Sequence, residues 1–298
     1  SRNRPDPTAN FLRMLFSVQR PAATPMRSSV KMARLRKAIE RTLAGRDEQA
    51  PERPLRVCYV IDNLSPDADG GQLGGTELQL LLLIRSLDRG RIQPYLCLLD
   101  GASGGARHLD PEFCPVIRLG VKSLRRVSTI RAAVRFARFL RREQIDILQV
   151  YFPDSTYFAV PVARLAGVRH IIRTRRNLGY WVTRRDRWLG RLLNHLASAT
   201  VANSDACRVS VIADERTPSE AVVVIPNAVE SECFDSIPNL TWPNSVDEHI
   251  FVGVVANLRV VKRLDLLVSA AGWLVPRYPN LRFRIAGGSA QPVAGCRA

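Results

Sequence analysis

The stretch LRVCYVIDNLSPDADGGQLGGTELQLLLLIRSLD, residues 55–88, decides the fold. It opens with a continuous apolar run at 57–61, passes through a glycine-rich turn and continues as a helical pattern at 76–88. Strands that are buried on both faces of a parallel sheet show such continuous runs rather than polar–apolar alternation. The stretch therefore predicts the first strand–turn–helix unit of a parallel α/β sheet.

The same pattern repeats further along the chain. Apolar runs occur at 95–99, 116–119, 145–150, 170–173, 200–202 and 222–225. Helical patterns lie between them at 128–143, 155–166 and 184–197. The helix at 128–143 is predicted to bury one stripe made of Ile130, Val134, Ala137 and Leu140, with its arginines on the other side. Repeated strand–helix–strand units predict a Rossmann-like domain with helices on both faces of a parallel sheet.

Four segments follow from these patterns. Residues 1–54 are predicted to be a basic, poorly ordered leader, and residues 55–237 to be a complete Rossmann-like domain. Residues 238–249 are rich in proline, asparagine and acidic side chains, as is typical of a linker. Residues 250–298 are expected to begin a second α/β domain, with strands at 250–256 and 281–286 around a helix at 263–275. The sequence starts at Ser1 rather than at methionine, so we also expect its start to be missing.

The composition is strongly basic, with 44 lysines and arginines against 27 acidic residues and a net charge of +17. Nucleic acid, an anionic membrane surface or phosphate-bearing substrates would suit that charge. A nucleic-acid binder would need an aromatic or helix-turn-helix reader, and the sequence shows none. The six cysteines are scattered without metal-ligand spacing, which predicts no metal site. No run approaches the ~18 apolar residues of a membrane span, and no secretory signal is recognisable, so we expect a cytoplasmic protein.

Three groups of residues could carry chemistry. Gly74 and Gly75 open a helix after the first strand, where backbone N–H groups and the helix dipole favour an anion; a simple tight turn is the alternative. Arg259 and Lys262 follow the strand at 250–256 and could clamp a diphosphate, or could be ordinary surface charges. The third group follows the strand at 170–173 and would either line a cleft or belong to an exposed loop; it consists of Arg173, Arg175 and Arg176.

Five loose motifs then occur in a recognisable order. They are GGTE at 74–77, IIRTRRNLGYW at 171–181, VANSDA at 201–206, IPNAVE at 225–230 and VANLRVVKRLDLLVSAAGWLVPRYPNLRFRIAGG at 255–288. Together they resemble the retaining glycosyltransferases of family 4, which have the GT-B fold. The resemblance covers residues 55–288 and implies an α/β protein with one complete Rossmann-like domain, which binds the acceptor, and the beginning of a second, which binds the sugar nucleotide.

The resemblance also implies an activity and a site. The activity is transfer of a sugar, with retention, from a nucleotide-sugar to a saccharide or lipid-linked acceptor, in the synthesis of cell-surface polysaccharide or glycolipid. No cofactor or metal is implied beyond the nucleoside-diphosphate sugar itself, which is the donor substrate. A family member of this kind would be cytoplasmic and could contact the anionic inner face of the membrane. Gly74, Gly75, Arg259 and Lys262 would lie at the donor phosphates.

The acceptor cleft would be lined by Tyr151, Arg173, Arg175 and Arg176. Tyr151 stands where many family members have a histidine, and a tyrosine is a poor base at neutral pH. The sequence assigns no catalytic residue.

Two departures from the family pattern affect the donor side. Ala256 and Asn257 stand where glycine and arginine are common, so Arg259 would have to replace that arginine. The family's E-x7-E motif is absent, so we expect the donor domain to be truncated at Ala298. The alternative function is therefore a non-catalytic remnant that binds acceptor or membrane without transfer. An oxidoreductase is disfavoured because the glycine-rich turn lacks the G-x-G-x-x-G fingerprint.

Overall fold

The computed structural model describes residues 53–64, 73–100, 109–179, 182–229, 249–256, 258 and 260–287. The chain divides into two compact units, Ser1–Ala50 and Pro51–Ala298. The first unit, and with it nearly all of the predicted leader, lies outside the described residues. So does nearly all of the predicted linker.

Seven parallel strands form the main sheet, which confirms the predicted parallel α/β architecture. They are β1 (Leu55–Ile61), β2 (Ile92–Leu98), β3 (Val116–Arg118), β4 (Ile147–Val150), β5 (His170–Arg175), β6 (Ala199–Ala202) and β7 (Val222–Val224). Their spatial order is β3-β2-β1-β4-β5-β6-β7. Every residue from Val57 to Ile61 is buried, because β1 lies in the interior of the sheet and is covered on both faces.

Helices cover both faces of the main sheet. They are α1 (Gly75–Arg85), α2 (Ser128–Arg142), α3 (Pro153–Ala166), α4 (Arg184–Asn194) and α5 (Asp205–Glu215). Alternate residues of β1 point to opposite faces. Tyr59 and Ile61 therefore join the core cluster that contains residues of α1, whereas Cys58 and Val60 join the cluster of α2, α3 and α4.

Helix α5 was not predicted, because its sequence DACRVSVIADE mixes polar and apolar residues without a strong period. Its start is nevertheless well defined. The Ser204 side chain accepts a hydrogen bond from the Cys207 backbone N–H at 3.2 Å, which caps the first turn.

The predicted buried stripe of α2 is correct for Leu140 but wrong for Ile130 and Val134. The helix buries Ala132, Phe136 and Leu140, whereas Ile130 is 66% exposed and Val134 is 45% exposed. Phe136 stacks on Phe158 of α3 at 5.8 Å between ring centroids. Because an aromatic ring removes more apolar surface from water than Val or Ile, the helix rotates to bury its phenylalanine side.

A second, two-stranded sheet lies towards the C-terminal end of the described chain. It consists of β8 (Ile250–Val255) and β9 (Leu281–Ala286), which are parallel and are connected through a short 3-10 helix (Val260–Lys262) and α6 (Leu264–Leu274). The predicted strand–helix–strand order is thus confirmed. None of the described residues from 249 to 287 is buried, and Val255 is 90% exposed.

No helix among the described residues has both the length and the apolarity that a bilayer span requires.

Candidate functional site

A cavity of about 300 Å³ opens at the carboxyl edge of the main sheet. It lies where the strand order reverses, between β1, which continues into β2, and β4, which the chain reaches on the other side. Ligands of open α/β sheets bind at such a switch point. Residues that line the cavity include Asp62, Thr76, Tyr151, Phe152, Asp154, Tyr157, Arg173, Arg175, Arg176, Asn177, Asp186 and Glu215.

Asp62 is the first residue after β1, and its carboxylate bridges to the start of α3. Its Oδ1 accepts a hydrogen bond from the Ser155 backbone N–H at 2.9 Å and another from the Ser155 hydroxyl. Its Oδ2 makes no hydrogen bond with any other described residue. Burial raises the pKa of Asp62 to about 6, against the opposing effect of the Ser155 hydrogen bonds. Among the described residues, Asp62 therefore leaves one carboxylate oxygen available as an acceptor at the cavity wall.

Tyr151 follows β4 directly and forms part of the cavity wall, while its ring is buried in the core on the α1 side of the sheet. Burial raises the pKa of Tyr151 well above its ordinary value, although the nearby Arg176 opposes this shift. The phenol thus stays protonated at neutral pH.

The next residue, Phe152, has φ 65° and ψ 161°, a conformation that is essentially restricted to glycine. Thr156 holds this turn in place, because both its backbone N–H and its hydroxyl donate to the Phe152 carbonyl, at 3.1 and 2.6 Å. The strain lies directly at the cavity, between the end of β4 and the start of α3.

Arg173 and Arg175 form a buried ion-pair network with Glu215 of α5. Arg173 Nη2 lies 2.7 Å from Glu215 Oε2, and Arg175 Nη1 lies 3.2 Å from Glu215 Oε1. Arg173 also donates to the Gly190 carbonyl at 3.3 Å and to the Asn194 side chain. The two arginines therefore lie at the cavity wall as a paired group, in which one carboxylate offsets one of the two positive charges.

Arg176 contributes the more available positive charge. It forms no ion pair with another described residue, and its guanidinium donates to the Asn227 side-chain oxygen. Burial lowers its pKa, and the proximity of Tyr151 and Glu77 counteracts part of that shift. Arg176 thus connects β5 to the loop after β7, in which the IPNAVE motif lies.

The same loop is held to α1 by Gln79. Its amide nitrogen donates to the Ala228 carbonyl at 2.7 Å, and its amide oxygen accepts from the Ala228 backbone N–H at 2.9 Å. Together with the Arg176–Asn227 contact, this clamp brings the motifs at 74–77, 171–181 and 225–230 to one edge of the sheet.

Gly74 and Gly75 form the start of α1, beside Thr76 in the cavity wall. A Cβ at Gly74 would lie 2.5 Å from Glu77 Oε2, which is the end of a flexible side chain that folds back over the start of the helix. The Glu77 carboxylate therefore already occupies the positive end of the helix dipole, where an anionic ligand would also be favoured.

Of the two predicted donor-side cations, only Lys262 is described, and it is not among the residues that line the cavity. Arg259 lies outside the described residues, so its predicted role stays a prediction. Lys262 ends the 3-10 helix after β8, its side chain is exposed, and it makes no hydrogen bond with any other described residue.

Sequence reasoning missed Asp62, Glu215 and Asn227. A signal existed for Asp62, which directly follows the strand at the predicted switch point, and for Asn227, which lies in the quoted IPNAVE motif. Glu215 carried no such signal, since its arginine partners lie 40 and 42 residues earlier in the chain.

This strand order with a cavity at its switch point defines a Rossmann-like ligand-binding domain. Residues 73–232, more than half of the chain, match the family described as Glycosyltransferase Family 4. The chain belongs to that family, and the predicted family assignment is confirmed. A comparison with curated proteins found no match.

Solved structures with a similar fold include the following three. HepE from Anabaena, in complex with UDP and glucose, has a TM-score of 0.59 at 16% identity over 79% of this chain and 61% of its own. The apo form of WaaB, a lipopolysaccharide outer core galactosyltransferase, has a TM-score of 0.53 at 12% identity over 78% of this chain and 68% of its own. A glycosyltransferase from Rickettsia africae has a TM-score of 0.51 at 11% identity, with the same two coverages of 78% and 68%.

At these identities the likeness concerns the fold, and it confirms the predicted GT-B-like α/β class. This chain spans 61% of the length of HepE.

Proposed function

We propose that this chain belongs to an enzyme that transfers a sugar from a nucleoside-diphosphate sugar to a hydroxyl of a saccharide or lipid-linked acceptor. The main sheet would be its acceptor-side domain, and β8, α6 and β9 would be part of its donor-side domain. One observation carries the proposal: the family motifs at 74–77 and 171–181 both contribute to a single cavity at the switch point of the sheet, and the loop of the third motif, at 225–229, is hydrogen-bonded to Arg176 and to α1.

The cavity wall is suited to a polyhydroxylated acceptor. Asp62 Oδ2 is available to accept a hydrogen bond from an acceptor hydroxyl, and Arg176 can donate to a ring oxygen, a hydroxyl or a phosphate. Arg173 and Arg175 add positive charge to the wall, but four carboxylates line it as well, so the wall suits the hydroxyls of a saccharide rather than selecting for an anionic acceptor; the carboxylates are those of Asp62, Asp154, Asp186 and Glu215.

The donor is proposed to be held by its diphosphate, between the start of α1 at Gly74 and Gly75 and the cations Arg259 and Lys262. HepE was solved with UDP, so UDP-sugars are the first donors to test. Arginine and lysine would stabilise the charge that develops on the departing nucleoside diphosphate.

We propose retention at the anomeric carbon. In that reaction the bond from the anomeric carbon to the diphosphate oxygen breaks and the bond from the acceptor oxygen forms on the same face of the sugar. The acceptor proton leaves with the diphosphate. Product NMR reports the anomeric configuration, and an inverted product would contradict this part of the proposal alone.

Transfer is tested with the full chain, radiolabelled UDP- and GDP-sugars, and saccharide and lipid-linked acceptors. Lys262→Ala is expected to lower turnover by roughly a hundredfold, because one charge-stabilising group is worth about 10²–10³ in rate. Lys122→Ala is the matched control, since Lys122 is likewise exposed but belongs to the main-sheet domain. Equal activity of wild type and Lys262→Ala would remove Lys262 from the donor site.

A second function, acceptor binding without transfer, is favoured by the second sheet. Because none of the described residues of this sheet region is buried, it offers no enclosed donor pocket of its own. Calorimetry separates the two functions. Heat from a nucleotide-sugar supports the enzyme, whereas acceptor binding by a folded chain without any heat from nucleotide-sugars supports the binding protein.

The proposed setting is the synthesis of cell-surface polysaccharide or glycolipid, at the inner face of the membrane. The chain's net charge of +17 supports contact with anionic lipid. Accumulation of a labelled lipid-linked product in the membrane fraction would support this setting. Transfer to free monosaccharides alone would argue against it.

A further inference from the structure

Helix α2 presents an apolar strip to solvent. Val127, which precedes the helix, is 78% exposed, and Ile130 and Val134 are 66% and 45% exposed. At helical spacing these three side chains fall on one face, opposite the buried Phe136. The strip is therefore distinct from the face that packs on the sheet.

Arginines surround this strip. Residues 122–142 contain Lys122, seven arginines and no acidic residue. Arg125, Arg126, Arg131 and Arg138 are exposed and make no side-chain ion pair with any other described residue. Other arginines of the segment differ: Arg135 donates to the Leu119 carbonyl at 3.0 Å and Arg142 lies 2.9 Å from Glu143.

The strip also lies towards the site edge of the molecule. Helix α2 follows β3, and a helix that follows a parallel strand starts at the carboxyl edge of the sheet. Val127 directly precedes its first turn and Ile130 lies in that turn, so they are on the same edge as the cavity.

We propose that this face of α2, formed by Val127, Ile130, Val134, Arg126, Arg131 and Arg138, binds the surface of an anionic lipid bilayer. The arginines attract the phosphate headgroups, and the apolar side chains enter the boundary between headgroups and acyl chains. A nucleic acid would use the arginines but leave the apolar strip in water, which is why the bilayer is the better partner. This assignment rests on the membrane contact proposed above and names the surface that makes it. Its test requires neither donor nor acceptor.

Co-sedimentation with lipid vesicles tests the contribution of the arginines to membrane binding. The full chain is expected to bind vesicles that contain phosphatidylglycerol, more weakly as salt rises, and to bind phosphatidylcholine vesicles poorly. The double variant Arg131→Gln/Arg138→Gln is expected to lower the partition coefficient about 30-fold, at about fivefold per arginine. The matched control is Arg85→Gln/Arg91→Gln, two exposed arginines outside α2, and it should bind like wild type.

The apolar part is tested with Ile130→Gln/Val134→Gln, which is expected to lower partition roughly tenfold. Val209→Gln on α5 is its control, because Val209 is 62% exposed outside α2. Unchanged partition in either α2 variant, with the fold intact by circular dichroism, would overturn the proposal. The proposal would also be overturned by a second pair of results. In that case Arg131→Gln/Arg138→Gln abolishes binding to single-stranded RNA, while Ile130→Gln/Val134→Gln leaves vesicle binding unchanged. Because vesicle binding involves no sugar transfer, its failure would leave the transferase proposal standing.

Discussion

Asp62 shows how a single residue can combine a structural and a chemical role. One carboxylate oxygen holds the first turn of α3 through Ser155, and the other remains available at the cavity. Phe152, the residue that caps α3, has no side-chain cap of its own, so Asp62 supplies that function from a different strand. The residue therefore connects β1 to α3 at the switch point.

Asp62→Asn is predicted to change the pH dependence of stability. Because the pKa of Asp62 in the folded chain is about 6, above its ordinary value of 3.8, folding favours the protonated carboxyl. Its contribution to the free energy of unfolding is thus largest below about pH 4 and is lost as pH rises through about 6. Asparagine does not titrate. The free energy of unfolding of Asp62→Asn, relative to that of wild type, should therefore rise by roughly 1–3 kcal/mol between about pH 4 and about pH 7. Urea denaturation across that range measures the difference, and a constant difference would contradict the prediction.

The same variant is expected to alter activity in a different way. If the ionised Asp62 accepts the acceptor hydroxyl, wild-type transfer should show an acidic limb near pH 6, because protonation removes the acceptor oxygen. Asp62→Asn should lose this limb and run at a lower, flatter rate. An unchanged pH–rate profile in the variant would exclude Asp62 from acceptor binding.

Glu215→Gln is predicted to destabilise the chain by about 3–5 kcal/mol, because removing one partner leaves buried positive charge unpaired. The side chains of Arg173 and Glu215 are only 11% and 4% exposed. Chemical denaturation compares this variant with Glu112→Gln, an exposed acidic residue on the surface. A loss no larger than that of Glu112→Gln would show that water screens the arginines.

For single residues, the sequence predicts which positions lie at the site better than it predicts which side chains they pair with. The arginines at the carboxyl end of β5 and the glycines at the start of α1 were identified because strand ends and helix starts can be read locally. The pairing of Arg173 with Glu215 could not be identified from the sequence, because it depends on the packing of α5 beside α4 and the two residues are 42 positions apart.

Elements were predictable to within a few residues where apolar residues run continuously. β9 was predicted with its observed bounds, Leu281–Ala286, and β1 with its observed end at Ile61. The exceptions are α5, with its weak period, and the orientation of α2. The orientation of α2 could not be predicted because a helix can offer several apolar stripes, and only its packing partners determine which one is buried.

A pair of alanine substitutions in α2 checks the observed orientation. Phe136→Ala is predicted to lower the free energy of unfolding by about 3–5 kcal/mol, because Phe136 is 1% exposed and its removal leaves a cavity. Ile130→Ala is expected to change it by no more than about 0.5 kcal/mol, as for other surface positions. Thermal or urea unfolding measures both, and equal losses would restore the stripe inferred from sequence.

For the whole molecule, the described residues fall into a well-packed seven-stranded sheet and a two-stranded sheet without buried residues. Two strands rarely suffice for independent stability in water. Amide hydrogens of β8 and β9 are therefore predicted to exchange much faster than those of β4. Hydrogen exchange followed by mass spectrometry compares the segments directly. Protection in β8 equal to that in β4 would mean that the second sheet is covered in solution.

The clamp between Gln79 and Ala228 has a consequence for the order in which the protein is made. The two residues are 149 positions apart, so the ribosome releases α1 long before the loop to which it is clamped. Core strands β1, β2 and β4 can pair while Ala228 is still unsynthesised. A nascent chain could therefore hold a largely formed sheet before the last loop closes onto α1.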